Sequence, residues 1–264
     1  MLERATLALR MRQFAEAEQM AAEILKASRT DGAAISILAN ALIAQNRGKE
    51  AIAPLERAVR RGRDAALETL LGAALGGAGR RTEAIEQLRS TVALRPPFPP
   101  AFQELAGQLA ADGQSDAAIA TIESCIALAP GNATLQLDLA RLHLNRNERT
   151  TARAILLKAR EDAPGRADIL TALARVFVMD GDYALATDAF RHALALHPDD
   201  ALTRADLAAC LLEMGQREAG EGALRLAARN RPQMLGRTIY ALTMSSHGRF
   251  FFHPSAFAKF LQKE

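Results

Sequence analysis

The sequence predicts an all-α fold built from consecutive helical hairpins, because two features recur every 34 residues. The first feature is a proline, at Pro96, Pro130, Pro164, Pro198 and Pro232. The second is a leucine followed directly by a small residue, at Leu71–Gly72, Leu105–Ala106, Leu139–Ala140, Leu173–Ala174 and Leu207–Ala208. Five units therefore keep one register without an insertion, which indicates that neighbouring units bury each other's apolar faces.

Each unit is expected to contain two helices, and residues 167–200 illustrate the pattern. Leu173 and Phe177 have the spacing of the apolar side of a first helix. Gly181 is expected to end that helix in the left-handed conformation, and a second helix then runs until Pro198 stops it. A small residue recurs early in each second helix, at Ala84, Ala118, Ala152, Ala186 and Gly220. Small side chains there allow the two helices of a hairpin to cross closely.

This pattern resembles the tetratricopeptide repeat (TPR), a helix–turn–helix unit of 34 residues. The resemblance covers residues 1 to about 232 and includes the leucine–small pair, the small residue of the second helix and the closing proline. Two N-terminal units match more weakly, since Arg63 replaces the closing proline and Arg4 stands where leucine is expected. We predict seven repeats, at approximately 1–31, 32–64, 65–98, 99–132, 133–166, 167–200 and 201–234.

The resemblance implies a right-handed superhelical solenoid whose first helices line a concave face. Members of the family usually hold a peptide or a helix of a partner protein there. Transferred position by position, the family geometry implies a partner-binding groove that includes Ser36, Asn40, Thr69, Gln103, Leu137, Arg141, Asn145, Thr171, Arg175 and Met179.

Arg141 and Arg175 occupy equivalent positions in adjacent predicted repeats, where two guanidinium groups could hold a carboxylate of the partner. The alternative is that Arg141 pairs with Asp138 on its own helix and Arg175 pairs with an acid of the next repeat. Some TPR proteins bind a C-terminal carboxylate through a clamp of Lys, Asn and Arg. Asn40 matches one clamp position, but Leu70 and other unsuitable residues stand at the rest, so this mode is not implied.

The charge distribution argues against nucleic acid as the partner. The net charge is +3, but residues 225–264 carry seven Lys or Arg and one acid, so residues 1–224 sum to −3. A basic groove along the whole body is therefore not expected. The N-terminal residues show no apolar stretch typical of a secretory signal, and Cys125 and Cys210 lack metal-ligand spacing. We expect a cytoplasmic protein with buried free cysteines.

No catalytic constellation is recognisable. The stretch GGAGRRTEAIE at 76–86 lacks the GK[ST] ending of a phosphate-binding loop, and the five histidines do not form a ligand set. No nucleophile, base and orienting group can be assigned from spacing. We therefore expect no enzymatic activity, no cofactor and no metal.

The last segment, 233–264, is expected to form a capping helix that ends at Gly248, followed by a short basic aromatic tail. Ile239, Leu242 and Met244 are expected to form the apolar side of this helix. Six of the 12 Phe and Tyr residues lie between positions 240 and 260. The predicted tail contacts are Phe250, Phe251, Phe252, Phe257 and Phe260. Their rings would cover the apolar flank of the last repeat, but consecutive rings at 250–252 cannot all face one surface. At least one ring is therefore expected to meet another surface.

We predict a non-catalytic scaffold that binds a peptide or helix of another protein, with an acidic residue among its contacts. One alternative is an adaptor that uses the tail to bind a membrane surface or a second copy of the chain. Another is an accessory subunit of an enzyme encoded nearby.

Overall fold

The computed structural model describes residues 1–251 and 253–262, and the regular secondary structure in this part of the chain is entirely helical. The all-α fold of successive helical hairpins is thereby confirmed. The chain divides into two compact units, residues 1–142 and 143–264. Each predicted repeat contains two of the helices described below.

In the first unit, odd-numbered helices pack on one another as well as on their hairpin partners. The helices are α1 (Leu2–Arg10), α2 (Phe14–Ala27), α3 (Gly32–Ala44), α4 (Gly48–Val59), α5 (Ala65–Gly77), α6 (Arg81–Val92), α7 (Pro99–Ala111), α8 (Ser115–Leu128) and α9 (Ala133–Asn145), which contains the boundary. Helix α3 contacts α1 and α5, and α5 also contacts α7. These first helices of the hairpins therefore form one continuous layer within the unit.

The second unit continues the same alternation and ends in three helical segments that follow the last hairpin. Its helices are α10 (Arg149–Asp162), α11 (Ala167–Asp180), α12 (Tyr183–Leu196), α13 (Ala201–Glu213), α14 (Arg217–Ala228), a 3₁₀ turn (Pro232–Met234), α15 (Leu235–Met244) and α16 (Pro254–Gln262). Helix α15 packs on α13 and α14, and α16 packs on α14. Helix α15 thus occupies the place of one more first helix.

Small residues lie where the helices of a hairpin approach most closely. A Cβ atom on Gly72 would come within 2.5 Å of Leu88 Cγ, and one on Gly220 would come within 2.8 Å of Leu212 Cγ. Leu88 and Leu212 are both fully buried. A larger residue at either glycine would therefore displace a core leucine.

The turns between the paired helices share a left-handed residue. It recurs at intervals of 33 or 34 residues, at Arg12, Asn46, Gly79, Gly113, Asn147, Gly181 and Gly215. Gly181 has a φ of +81° and ends α11, as its sequence position predicts. The same backbone geometry at Arg12 shows that the first hairpin turns like the others, although its residue is not a glycine.

Arg63, which stands where a closing proline is expected, neutralises a buried carboxylate. Glu68 in α5 has no exposed surface, and its Oε1 lies 2.5 Å from Arg63 Nε. Thr91 in α6 donates a hydrogen bond of 3.0 Å to Glu68 Oε2. Arg63 Nη2 also donates to the Ser90 carbonyl at 3.2 Å. The arginine therefore joins the α4–α5 loop to both helices of the next hairpin.

The helix after Pro232 is shorter than the sequence predicts, and only Leu242 of its three expected core residues is buried. It ends at Met244, because Ser245 is extended and the chain turns there, rather than continuing to Gly248. Its buried residues include Thr238 and Leu242, whereas Ile239 and Met244 are exposed. Ala241 is the third buried residue of this helix, and two of its larger apolar side chains remain outside the core.

The tail rings divide between a packed and an exposed set. Phe260 is buried, with its ring centroid 5.3 Å from that of Phe251 and 6.2 Å from that of Phe257. The guanidinium carbon of Arg225 in α14 lies 5.2 Å from the Phe260 centroid. Phe250 is exposed, in agreement with the expectation that neighbouring rings face different directions, and Phe252 lies outside the described residues.

Replacing Thr238 with valine is expected to raise the free energy of unfolding by about 1 kcal/mol, measured by urea denaturation. The Thr238 hydroxyl is buried and has no hydrogen-bond partner among the described residues, so valine removes an uncompensated polar group. Thr243→Val is the matched control, because the exposed Thr243 hydroxyl donates to the Ile239 carbonyl at 2.9 Å. A loss of stability in Thr238→Val would contradict the assignment of an unpartnered hydroxyl.

Candidate functional site

The first unit contains a cavity of about 480 Å³ on the layer formed by the first helices of the hairpins. We call it the N-terminal cavity, and it is lined by Asn40, Ile43, Thr69, Leu70, Ala73, Pro100, Gln103, Glu104 and Asp138. Three of the predicted groove residues, Asn40, Thr69 and Gln103, therefore lie around one opening. Ser36, also predicted, is half-buried one turn before Asn40 on α3.

The polar groups of the N-terminal cavity are largely engaged within the protein. Asn40 donates to the Ser36 carbonyl at 2.8 Å, and Thr69 donates to the Ala65 carbonyl at 2.6 Å. Gln103 donates to Asp138 Oδ2, which places an acid at the cavity wall. Glu104 adds a second carboxylate. This part of the groove therefore presents two carboxylates, those of Glu104 and Asp138.

Leu137 is a wrong prediction for partner contact. Its side chain is 2% exposed and does not line the N-terminal cavity. Two predicted residues of the second unit occupy other environments. Asn145 is exposed at the C-terminal end of α9, and the half-buried Thr171 places its hydroxyl 3.4 Å from that of Thr203.

The second unit contains a larger cavity, of about 720 Å³, between α11, α13 and α15. We call it the C-terminal cavity. It includes the predicted residues Arg175 and Met179, together with Val178, Tyr183, Ala205, Asp206, Ala209, Cys210, Glu213, Arg237, Tyr240 and Met244. Three large apolar or aromatic side chains remain exposed at this cavity: Met179 at 53%, Tyr240 at 65% and Met244 at 66%. Exposed Met and Tyr side chains around a cavity are typical of protein-binding surfaces.

Two arginines share one carboxylate at the rim of the C-terminal cavity. Arg175 Nη2 lies 3.1 Å from Asp206 Oδ2, and Arg237 Nη2 binds Asp206 Oδ1. The three side chains carry a net charge of +1. Glu213, the other acid of the cavity, accepts a hydrogen bond of 2.6 Å from the Ser246 hydroxyl. Asp206 uses only some of the N–H donors of the two guanidinium groups. The remaining donors can bind a carboxylate of a ligand.

The two ion pairs of the alternative hypothesis for the groove arginines are both present. Arg141 lies 3.4 Å from Asp138, and Arg175 pairs with Asp206 of the following first helix. Arg141 belongs to the first unit and Arg175 to the second. A clamp formed jointly by these two arginines stays a prediction.

Cys210 lies at the floor of the C-terminal cavity without the properties of a nucleophile. Its burial, together with the negative charge of Asp206, raises the pKa of the thiol to about 12. Burial also raises the pKa of the Cys125 thiol. The thiolate is the reactive form, so both side chains are unreactive at neutral pH.

Several residues of the C-terminal cavity are absent from the sequence-based prediction. Arg237, Tyr240 and Met244 belong to α15, which follows the last predicted repeat. Their spacing of three and four residues on one helix was the available signal. This signal is masked because the sequence predicts that the apolar residues of the helix, Met244 among them, face inward.

Within residues 1–251 and 253–262, no group of three or more His, Cys, Asp or Glu side chains is placed to hold a metal ion. In the same part of the chain, no helix is both long enough and apolar enough to cross a lipid bilayer.

Tandem helical hairpins with open cavities on the first-helix layer define a class of α-helical binding scaffolds. The chain belongs to the tetratricopeptide repeat family. One family model with this description matches residues 2–66 and 69–133, and a second matches residues 109–176 and 177–238.

A curated relative is similar to part of the chain. It is the cellulose synthase operon protein C of Pseudomonas fluorescens (strain SBW25), with 34% identity over 113 residues. The match covers 43% of this chain and only 9% of the relative. The chain therefore corresponds to a small part of that protein's length.

Solved structures show the same fold at low sequence identity. The structure of the APC/C hetero-tetramer Cut9–Hcn1 matches 98% of this chain and 54% of its own, with a TM-score of 0.60 and 18% identity. TTC0263, a TPR protein of Thermus thermophilus, matches 67% of this chain and 97% of its own, with a TM-score of 0.56 and 23% identity. MamA gives a TM-score of 0.54 at 16% identity, over 63% of this chain and 97% of its own.

Proposed function

We propose that this protein is a non-catalytic scaffold that binds a peptide or helix of a partner protein in the C-terminal cavity. The observation that carries the proposal is the set of exposed Met179, Tyr240 and Met244 side chains beside an arginine pair. TPR proteins generally mediate binding between proteins. We propose the cytoplasm as the location of this protein from its sequence pattern alone.

The chemistry of the C-terminal cavity favours a ligand with a large apolar side chain next to a carboxylate. Apolar contacts with Met179, Tyr240 and Met244 would bury surface that is now exposed to water. Arg175 and Arg237 stand at the rim with one carboxylate between them. A ligand carboxylate would neutralise the net charge of +1 on Arg175, Arg237 and Asp206. Glu213, the second acid of the cavity, is bound by the Ser246 hydroxyl instead.

The packing of the tail favours a cap over the alternative of a membrane or self-association surface. Phe251, Phe257 and Phe260 contact one another, and Phe260 packs in the same core as Leu224 of α14 and Leu242 of α15. Rings engaged in this way are not available to a lipid surface unless α16 detaches.

If the partner binds in the C-terminal cavity, Met179→Ala combined with Tyr240→Ala is expected to weaken partner retention at least tenfold. Exposed aromatic and Met side chains supply much of the binding free energy at protein-binding surfaces. Retention is measured by quantitative pull-down from the native host, with the tagged wild-type chain as reference. Both residues are exposed, so the helicity and the unfolding midpoint are expected to stay the same.

The matched control is Leu185→Ala combined with Leu196→Ala, which removes two exposed apolar side chains of α12 outside the C-terminal cavity. This variant is expected to retain the same polypeptides as wild type. Equal retention by the Met179/Tyr240 variant and wild type would eliminate the C-terminal cavity as the binding surface.

A further inference from the structure

A second cavity of the first unit combines an apolar floor with an entirely cationic rim. We call it the basic pocket. It has a volume of about 610 Å³ and is lined by Ala22, Leu25, Lys26, Arg29, Ile35, Leu38, Pro54, Arg57, Ala58 and Arg61. Four of these residues are cationic and none is acidic, although residues 1–224 carry a net negative charge. The pocket is therefore positively charged, although residues 1–224 are negatively charged overall.

Three of the four cations have no carboxylate partner. Lys26 pairs with Glu23 at 2.6 Å, but Arg29, Arg57 and Arg61 form no ion pair with any described residue. All three arginines are exposed. Arg29 follows the end of α2, and the other two come from the C-terminal end of α4 and the residues after it, so positive charge stands on both walls.

Arg29 lacks the carboxylate partner that Arg63 has in the next loop. Arg29 lies in the loop before α3, two residues ahead of the N-cap residue Asp31, and Arg63 lies in the loop before α5, one residue ahead of the N-cap residue Asp64. Arg63 binds the buried carboxylate of Glu68 at 2.5 Å. The position equivalent to Glu68 in the helix that follows Arg29 is Ile35. Each loop thus carries an arginine close to the start of the next first helix, but only the second arginine is followed by a buried carboxylate at this position.

The basic pocket lies away from the predicted groove. Ile35 and Leu38, which line it, point to nearly the opposite side of α3 from Ser36 and Asn40, given about 100° of rotation per residue. The positions equivalent to Arg57 and Arg61 in the following repeat are Ser90 and Leu94, so the hairpin fold itself does not require arginine there. A ligand of this pocket would leave both groove cavities open.

The shape of the basic pocket favours a segment of a protein over a membrane or a small molecule. Its large apolar residues are recessed, and none of Leu25, Ile35 and Leu38 is exposed, whereas a membrane-binding surface projects apolar side chains outward. Small-molecule sites orient their ligand with a few fixed polar groups. Here the cations are exposed and long, which suits several carboxylates along a chain.

We propose that the basic pocket docks an acidic amphipathic segment of a partner protein. An apolar side chain of this segment lies on Leu25, Leu38 and Pro54, and its carboxylates bind Arg29, Arg57 and Arg61. This surface is separate from the C-terminal cavity, so the scaffold can hold two segments at once.

The test is a selection of random 12-residue peptides displayed on phage, with the wild-type chain and the Arg29→Glu, Arg57→Glu double variant as baits. Peptides recovered on wild type and lost on the variant are expected to carry Asp or Glu on both sides of a Leu, Ile or Phe. Synthetic copies should bind the double variant at least tenfold more weakly in fluorescence polarisation. Replacing their apolar residue with serine should weaken binding to wild type.

The matched control carries the same change in charge at two exposed arginines of α6 and α10, Arg89→Glu with Arg160→Glu, and should bind the peptides as wild type does. Circular dichroism checks that every variant keeps its helicity. The proposal is overturned if no peptide distinguishes wild type from the double variant, or if the control loses binding equally. It is also overturned if only phosphatidylglycerol vesicles or inorganic phosphate bind through Arg29 and Arg57.

Discussion

Replacing Phe260 with alanine is expected to lower the free energy of unfolding of the second unit by about 3–5 kcal/mol, the cost of removing a fully packed Phe from a core. The ring is 6% exposed and packs with Leu224 and Leu242, in the cluster that closes the second unit. Without it, α16 loses its main contact with α14. Urea denaturation followed by circular dichroism gives the change directly.

The control for this prediction is Leu226→Ala, which removes an exposed apolar side chain from α14. Its effect should stay within about 0.5 kcal/mol. Hydrogen exchange adds a second readout, since amides of α14 and α15 should lose protection in the Phe260 variant. Unchanged stability and unchanged protection in Phe260→Ala would show that the tail is not a structural cap.

Arg63→Ala is expected to destabilise the first unit by about 3 kcal/mol, near the lower end of the cost of breaking a buried ion pair, because Arg63 itself is half-exposed. The substitution leaves the carboxylate of Glu68 buried without a countercharge, with hydrogen bonds from Thr91 and Gln87 as its remaining contacts. The same denaturation experiment measures the loss.

Two variants separate charge from packing in this prediction. Adding Glu68→Gln to Arg63→Ala should recover a large part of the lost stability, because a neutral amide is easier to bury than a carboxylate. Arg60→Ala removes an exposed partner of Glu56 at 3.6 Å and should change stability by less than about 1 kcal/mol. Equal effects of Arg60→Ala and Arg63→Ala would contradict a special role for the buried pair.

Most of the fold could be predicted from the sequence because its determinants are local and recur. The prolines, the leucine–small pairs and the left-handed turn residues each reflect one requirement of a hairpin, repeated along the chain. Arg63 shows the limit of this reasoning. A missing proline looks like a weaker repeat, whereas the structure shows an arginine that neutralises Glu68 in the next hairpin.

The candidate site was less predictable, because exposure depends on packing between helices that periodicity does not resolve. Leu137 stands at a position expected to face the groove and is buried. Met244 belongs to the apolar residues expected to pack inward and is exposed. In both cases the rotation of a helix about its axis decides the outcome, and it follows from contacts with neighbouring helices. Arg175 and Met179 were predicted and do line the C-terminal cavity.

The most direct test of the proposed scaffold function is photo-crosslinking in the native host, with p-benzoylphenylalanine placed at Met179 or, for comparison, at Leu196. Both side chains are exposed, but only Met179 lines the C-terminal cavity. We predict a discrete crosslinked adduct from position 179 that is absent from position 196 and disappears when Tyr240 is also replaced by alanine. Adducts that form equally from both positions, or none from position 179, would contradict the proposal that the partner binds in this cavity.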